Sequence, residues 1–165
     1  MPSPEVLRLD RITKRFGALL ANDAISLSLA AGEVVALLGE NGAGKTTLMN
    51  ILFGQYVADE GTIIAFGQPL PPGNPRAALA AGIGMVHQHF TLADHLSVLE
   101  NIVLGTRPLL SLSLGLGAAR DKIRALSQEF GLAVDPDARV GELGVGKRPR
   151  VEILNALYGA ERGVI

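Results

Sequence analysis

Between Val34 and Phe53 the chain passes from an apolar run, Val34-Val35-Ala36-Leu37-Leu38, through Gly39-Glu40-Asn41-Gly42-Ala43-Gly44-Lys45-Thr46-Thr47, into Leu48-Met49-Asn50-Ile51-Leu52-Phe53. Gly39 to Thr46 satisfies the pattern G-x-x-x-x-G-K-[ST] in full. The flanks predict strand, loop and helix. Val34 to Leu38 is short, apolar and partly β-branched, as suits a strand buried on both faces of a parallel sheet. Leu48, Ile51 and Leu52 recur at a spacing that gives a helix one apolar face. Gly39, Gly42 and Gly44 lack a Cβ, so the backbone can turn left-handed and aim consecutive N–H groups at one anion. A helix starting near Lys45 points its unpaired N–H groups and positive dipole end at the same place.

This chemistry suits the phosphates of a nucleoside triphosphate. Lys45 is placed to reach the β- and γ-phosphates, and the Thr46 hydroxyl to ligate the magnesium ion, Mg2+, that bridges them. The candidate binding residues are Gly39, Glu40, Asn41, Gly42, Ala43, Gly44, Lys45, Thr46 and Thr47. A glycine-rich turn beside a surface lysine is the bland alternative, and a full pattern set between strand and helix argues against it.

At 165 residues the chain suits one domain, and 48% hydrophobic residues can build a sizeable core. A net charge of -1 gives no overall basic excess, so no nucleic-acid partner is expected. The absence of cysteine excludes disulfides and thiolate metal sites and fits a reducing compartment. Met1-Pro2-Ser3-Pro4-Glu5 lacks the basic start and apolar core of a secretory signal. The uncharged stretch Pro108 to Ala119 is shorter than the ~20 residues a membrane span needs, and it reads as a loop or an apolar surface.

Along the rest of the chain, Leu7 and Leu9 alternate with Arg8 and Asp10, predicting a half-exposed edge strand. Ile25, Leu27 and Leu29 mark a second strand, and Gly61 to Phe66 a third, closed by Gly67. Gln68 to Pro75, with its prolines, reads as loop. Arg76 to Ala81 predicts one or two helical turns ended by Gly82, and Ile83 to His87 a strand. Gly54 sits where a helix C-cap belongs. Ser97 with Glu100 forms a capping-box signature before Leu99, Ile102 and Val103. Ala119, Ile123, Leu126 and Phe130 predict a second helix ending at Gly131, and Asp135-Pro136-Asp137 a turn. Val151, Leu154 and Tyr158 predict a last helix, with Pro149 tolerable only in its first turn. Gly163-Val164-Ile165 looks like the start of a strand.

Several of these features, in their order along the chain, resemble the nucleotide-binding subunit of ATP-binding cassette (ABC) transporters. Phe16 matches the aromatic that stacks on adenine, Gly39 to Thr47 the Walker A loop, and Gln88 the Q-loop glutamine that touches magnesium and the attacking water. Leu143-Gly144-Val145-Gly146-Lys147 matches the position of the signature motif, and Arg150-Val151-Glu152-Ile153-Leu154 the helix after it. Met85-Val86-His87-Gln88-His89-Phe90 with Leu99-Glu100-Asn101-Ile102 is most similar to importers of nucleosides or simple sugars.

The resemblance covers essentially the whole chain and carries expectations. The fold expected is α/β: a P-loop NTPase of the ABC type with antiparallel edge strands and a helical subdomain at roughly 89–160. Residues 1–165 then make a partial domain, incomplete at the C-terminus. The function implied is ATP binding, and in the intact family ATP hydrolysis, coupled to solute import through a transmembrane permease. A second ATP-binding domain is expected as dimer partner, and the location is cytoplasmic, peripheral on the inner face of the cell membrane. Lys45 and Gln88 are the expected catalytic residues, with Thr46 and Gln88 at the metal.

Two departures bear on this. The family's signature is Leu-Ser-x-Gly-Gln, and Gly144 here stands at the serine whose hydroxyl contacts a partner-bound γ-phosphate. The sequence stops within the strand that should end in the Walker B aspartate and glutamate, and the switch histidine is absent as well. Phosphoryl transfer relies on metal and water positioning, so poor hydrolysis is expected of this chain. A non-catalytic nucleotide-binding or interaction module is the alternative.

Other residues keep two readings. Phe16 either stacks on a base or packs in the core, and the family pattern favours stacking. Gln88 is either a functional glutamine or a polar residue at a strand end. Lys147, Arg148 and Arg150 form either a phosphate-attracting cluster or a solvated basic face. His87, His89 and His95 with Asp94 match no ligand spacing and read as solvent or partner contacts. Asp59, Glu60 and Glu129 read as solvated.

Overall fold

A computed structural model describes residues 3–86, 92–106 and 116–159, in two compact units, Met1–Ile83 and Gly84–Ile165. The first holds a four-stranded antiparallel sheet in the order β2-β1-β3-β4, formed by β1 (Glu5–Phe16), β2 (Leu19–Ala30), β3 (Glu60–Ala65) and β4 (Gln68–Pro69). The alternation in β1 is as the sequence implies: Leu7, Leu9 and Ile12 are buried while Arg8 and Asp10 face solvent. It is not an edge strand, however. Leu7 pairs with Leu29 of β2 on one side and with Ala65 of β3 on the other.

The third strand turns at Phe66 and Gly67, both at positive φ, so β4 pairs back on it. The proline-rich stretch is therefore not all loop. Pro69 is accommodated because β4 lies at the edge of the sheet, where a missing N–H breaks no ladder.

Helix α1 (Lys45–Leu52) buries Leu48, Ile51 and Leu52. It ends at Gly54, φ 82°, where an added Cβ would lie 2.7 Å from the Asn74 carbonyl carbon. Helix α2 (Pro75–Ala80) carries Pro75 in its first turn, and the Asn74 side chain accepts from the Ala77 N–H at 3.1 Å.

A further expectation fails in this unit. Val34 to Leu38 is not a buried strand: it has no regular structure, and Val34 and Leu38 are 94% and 93% exposed. A parallel strand exists only through its neighbours, and the described residues supply none beside this run. Of the strand expected at Ile83 to His87, Ile83 forms a single bridge, 84–86 have no regular structure and His87 lies outside the described residues, as does the C-terminal strand expected at 163–165.

The second unit is helical: α3 (Val98–Thr106), α4 (Leu116–Glu129) and α5 (Arg148–Gly159). Val98, Ile102, Val103, Ile123, Val140, Val151 and Leu154 form its buried core. Helix α4 takes in Leu116 to Ala119, the end of the stretch expected to be loop, and 107–115 lie outside the described residues. The capping box forms. Ser97 N donates to Glu100 Oε2 at 2.8 Å, and Glu100 N to Ser97 Oγ at 3.2 Å. The remaining orphan donors of α3 are met by the chain near the expected turn, Val98 N by Ala138 O at 3.0 Å and Leu99 N by Pro136 O at 2.9 Å. Pro149 occupies the first turn of α5, as required.

Ile123 is fully buried in the helical core. Ile123→Ala is expected to cost about 2–5 kcal/mol of stability, read by urea denaturation, because the cavity cannot close completely.

Asp59 ties the start of β3 to β1. It accepts from Lys14 Nζ at 2.9 Å and from Arg15 N at 2.6 Å, so it is not merely solvated as its sequence context suggested. The Lys14 hydrogen bond, then the Arg15 N–H, hold its pKa below the ordinary value. A depressed folded-state pKa stabilises above the unfolded value and is lost as pH falls through the folded one. Asp59→Asn is expected to lower the thermal midpoint at neutral pH, and the gap to wild type to close in acid.

Candidate functional site

The loop ahead of α1 is shaped by its glycines. Gly44 is the N-cap at φ 81°, with no side-chain cap, and Gly42 lies at φ 86°. Both are left-handed, where a Cβ is strained. Gly44 O accepts the first helical hydrogen bond from Leu48 N at 2.9 Å, and Ala43 N donates to Glu40 O at 3.2 Å, closing a turn inside the loop. Lys45 Nζ donates to Gly39 O at 2.6 Å and to Glu40 O at 2.8 Å, folding the ammonium onto the loop. Thr46 is exposed and Thr47 half-buried on the first turn of α1, which carries no acidic residue to offset the helix's positive end.

The loop fits a chain of phosphates. A Cβ at Gly39 would lie 3.3 Å from Ala43 Cβ and 3.8 Å from Lys45 Nζ, narrowing the space in front of the ammonium. A Cβ at Gly44 would run into the Ala21 carbonyl oxygen of β2. Bare backbone is thus required at Gly44 by the strand behind it, and a loop of bare backbone lets an anion approach its N–H groups closely. Two carbonyl oxygens hold Lys45, and an arriving phosphate oxygen is a stronger partner for the ammonium than either.

Sequence reasoning missed Asn22. Its Nδ2 donates to Gly44 O at 3.2 Å, its Oδ1 is buried without a partner among the described residues, and the residue is only 5% exposed. The available signal was a polar residue of low strand propensity inside a strand.

Phe16 ends β1 and is 43% exposed, so the core-packing reading fails. Tyr56 meets it edge-on at 5.6 Å and 74°, and Lys14 Nζ lies 5.4 Å from its ring centre. Gln88, His87 and His89 lie outside the described residues. Asp94 pairs with Arg148 at 3.2 Å, and no cluster able to hold a metal occurs among the described residues.

Around the Leu143 to Lys147 loop, Arg148 is taken by Asp94, and Arg150 Nη1 donates to Leu132 O at 3.1 Å. These guanidiniums brace the helical unit, while Lys147 and Arg150 remain exposed. Val145 is 82% exposed. No helix among the described residues is long and apolar enough to cross a membrane.

Comparison with known proteins matches residues 22–165 to the ABC transporter family. The nucleoside import ATP-binding protein NupA of Lactococcus lactis is 48% identical over 96% of this chain and 31% of its own length. The guanosine import ATP-binding protein NupO of Bacillus subtilis is 43% identical over 93% of this chain and 30% of its own. The chain thus spans about a third of the length of these curated relatives. Among solved structures, a nucleotide-free ATP-binding cassette of an ABC transporter matches 94% of this chain and 66% of its own, with a TM-score of 0.79 and 29% identity. An ATP-binding cassette in its ADP conformation matches 95% and 66%, with a TM-score of 0.80 and 27% identity.

Gly44→Ala is expected to cost about 1–3 kcal/mol from the strained φ, with the clash against Ala21 in addition. Urea denaturation reads the loss, and a larger exchange rate of the Leu48 amide places it at the loop.

Proposed function

The chain belongs to the ABC transporter family, and from that premise we propose that it binds ATP as part of the ATP-binding subunit of a nucleoside or simple-sugar importer. The observation that carries the reading is the Lys45 ammonium, held over Gly39 O and Glu40 O at the head of a helix whose N-cap glycine is left-handed. Bound ATP would bring the phosphates, and Mg2+ would supply positive charge to offset theirs. On this reading, Lys45 turns from the loop carbonyls to the β- and γ-phosphates. Backbone N–H groups of Gly42 to Thr47 would orient the chain of phosphates, and Thr46 would hold the metal. Gln88 would help hold the metal and orient water, and Phe16 would stack on the base.

The relatives' names, import ATP-binding proteins for nucleosides, support the substrate class, and import through a membrane calls for a permease as partner. A transmembrane permease receives the work of ATP binding, and a second ATP-binding domain closes over the nucleotide. The α3 to α5 unit, taken as a helical subdomain at roughly 89–160, faces the permease. The protein is then peripheral on the inner face of the cell membrane.

A second reading, binding without turnover, is favoured by Gly144, which offers no hydroxyl where the family signature has serine.

Wild-type protein with Mg2+ is expected to bind a fluorescent ATP analogue, and Lys45→Ala to weaken binding by at least about tenfold through loss of a charge-assisted contact. Equal affinity in the two proteins would refute the phosphate-loop reading. A phosphate-release assay separates the two functions, since turnover well above the Lys45→Ala control sinks the non-catalytic one.

A further inference from the structure

We propose that Asn22, near the start of β2, is a positioning residue that aims the phosphate loop. The proposal rests on the nucleotide-binding reading and extends it to a residue outside the loop. Its basis is the peptide unit between Gly44 and Lys45. That unit is rigid, planar and trans, so its carbonyl and its N–H point in opposite directions. Fixing the Gly44 oxygen therefore fixes the direction of the Lys45 N–H, which is among the unpaired donors that open α1.

The Gly44 oxygen is held from both sides. Leu48 N donates to it from within the helix at 2.9 Å, and Asn22 Nδ2 from the sheet at 3.2 Å. Gly44 supplies no side-chain cap, so the sheet provides the second hold. The amide cannot be reversed, because its oxygen would then face the carbonyl.

The other end of the Asn22 amide is what distinguishes aiming from mere packing. Among the described residues, Oδ1 is buried with no hydrogen-bond partner. A buried orphan acceptor lowers stability, and an apolar side chain there would remove that cost. The donor at Gly44 is the contact that gives an asparagine a use at this place. Strand register adds a geometric consequence. Asn22 lies opposite Lys14, and Phe16, two residues along β1, lies opposite Leu19. The same hairpin that carries the exposed Phe16 ring is thus pinned to the loop through Asn22, which sets the spacing between base platform and phosphate grip.

The test uses the full chain with Asn22→Ala, read three ways. Without nucleotide, hydrogen exchange of the Leu48 amide is expected to rise about tenfold, with Leu9 and Ile63 in the sheet unchanged. The thermal midpoint is expected to hold or rise, because the orphan acceptor has gone. With Mg2+, the dissociation constant for ATP is expected to rise about tenfold, and that for tripolyphosphate, which lacks a base to register, to rise less. Unchanged exchange at Leu48, or faster exchange throughout the sheet with a falling midpoint, overturns the proposal. So does an ATP affinity equal to wild type. If Asn22→Ala does not fold, Asn22→Leu is read in the same way, since it keeps the size and carries neither donor nor acceptor. Failure of wild type to bind ATP would instead defeat the nucleotide-binding reading, and the exchange measurement stands apart from that outcome.

Discussion

The left-handed turn at Gly44 is the constraint on which the candidate site depends. At φ 81° the chain leaves an irregular loop and enters α1 within a single residue, with the Ala21 carbonyl where a side chain would have to go. The loop cannot relax outward without losing the first hydrogen bond of the helix, which Gly44 O accepts. It cannot relax inward because β2 is already there. Helix and strand together therefore define the loop's position, and the glycine lets them approach.

Given that position, the electrostatics follow. The chain as a whole is close to neutral, so no long-range field draws an anion in, and attraction has to be local. It comes from the open end of α1, with no acidic residue in its first turn, and from an ammonium kept beside it by two backbone oxygens. Carbonyl oxygens are neutral acceptors. Holding Lys45 with them keeps the side chain ordered and the charge in place, while an anionic oxygen remains the better partner. A carboxylate in that role would have neutralised the site it was ordering.

What could be read from the sequence was whatever is decided within a few residues. The capping box of Ser97 and Glu100, the cap at Gly54, Pro149 in the first turn of α5 and the glycine spacing of the loop are all local choices, and each lies where the pattern put it. Burial is different, because it belongs to the neighbours. Val34 to Leu38 has the composition of a buried strand, yet no strand among the described residues pairs with it, and apolar side chains alone do not make one. Asn22 and Asp59 were missed for a related reason. Their partners Gly44, Lys14 and Arg15 are distant in sequence, and no local pattern foretells which polar side chain will meet which backbone group.

The helical unit shows the opposite use of polar groups. The N-terminal donors of α3 are matched by the Ser97 side chain and by the carbonyls of Pro136 and Ala138, and Arg148 and Arg150 are engaged by Asp94 and Leu132. Such a unit is stiffened by its own contacts, since each satisfied donor is one fewer reason for the segment to move. At the phosphate loop, Gly44 offers no side-chain cap and the ammonium rests on neutral oxygens. A chain that satisfies its donors in one unit and leaves positive groups exchangeable in the other has separated rigidity from recognition. The exchangeable groups are those able to respond to a phosphate.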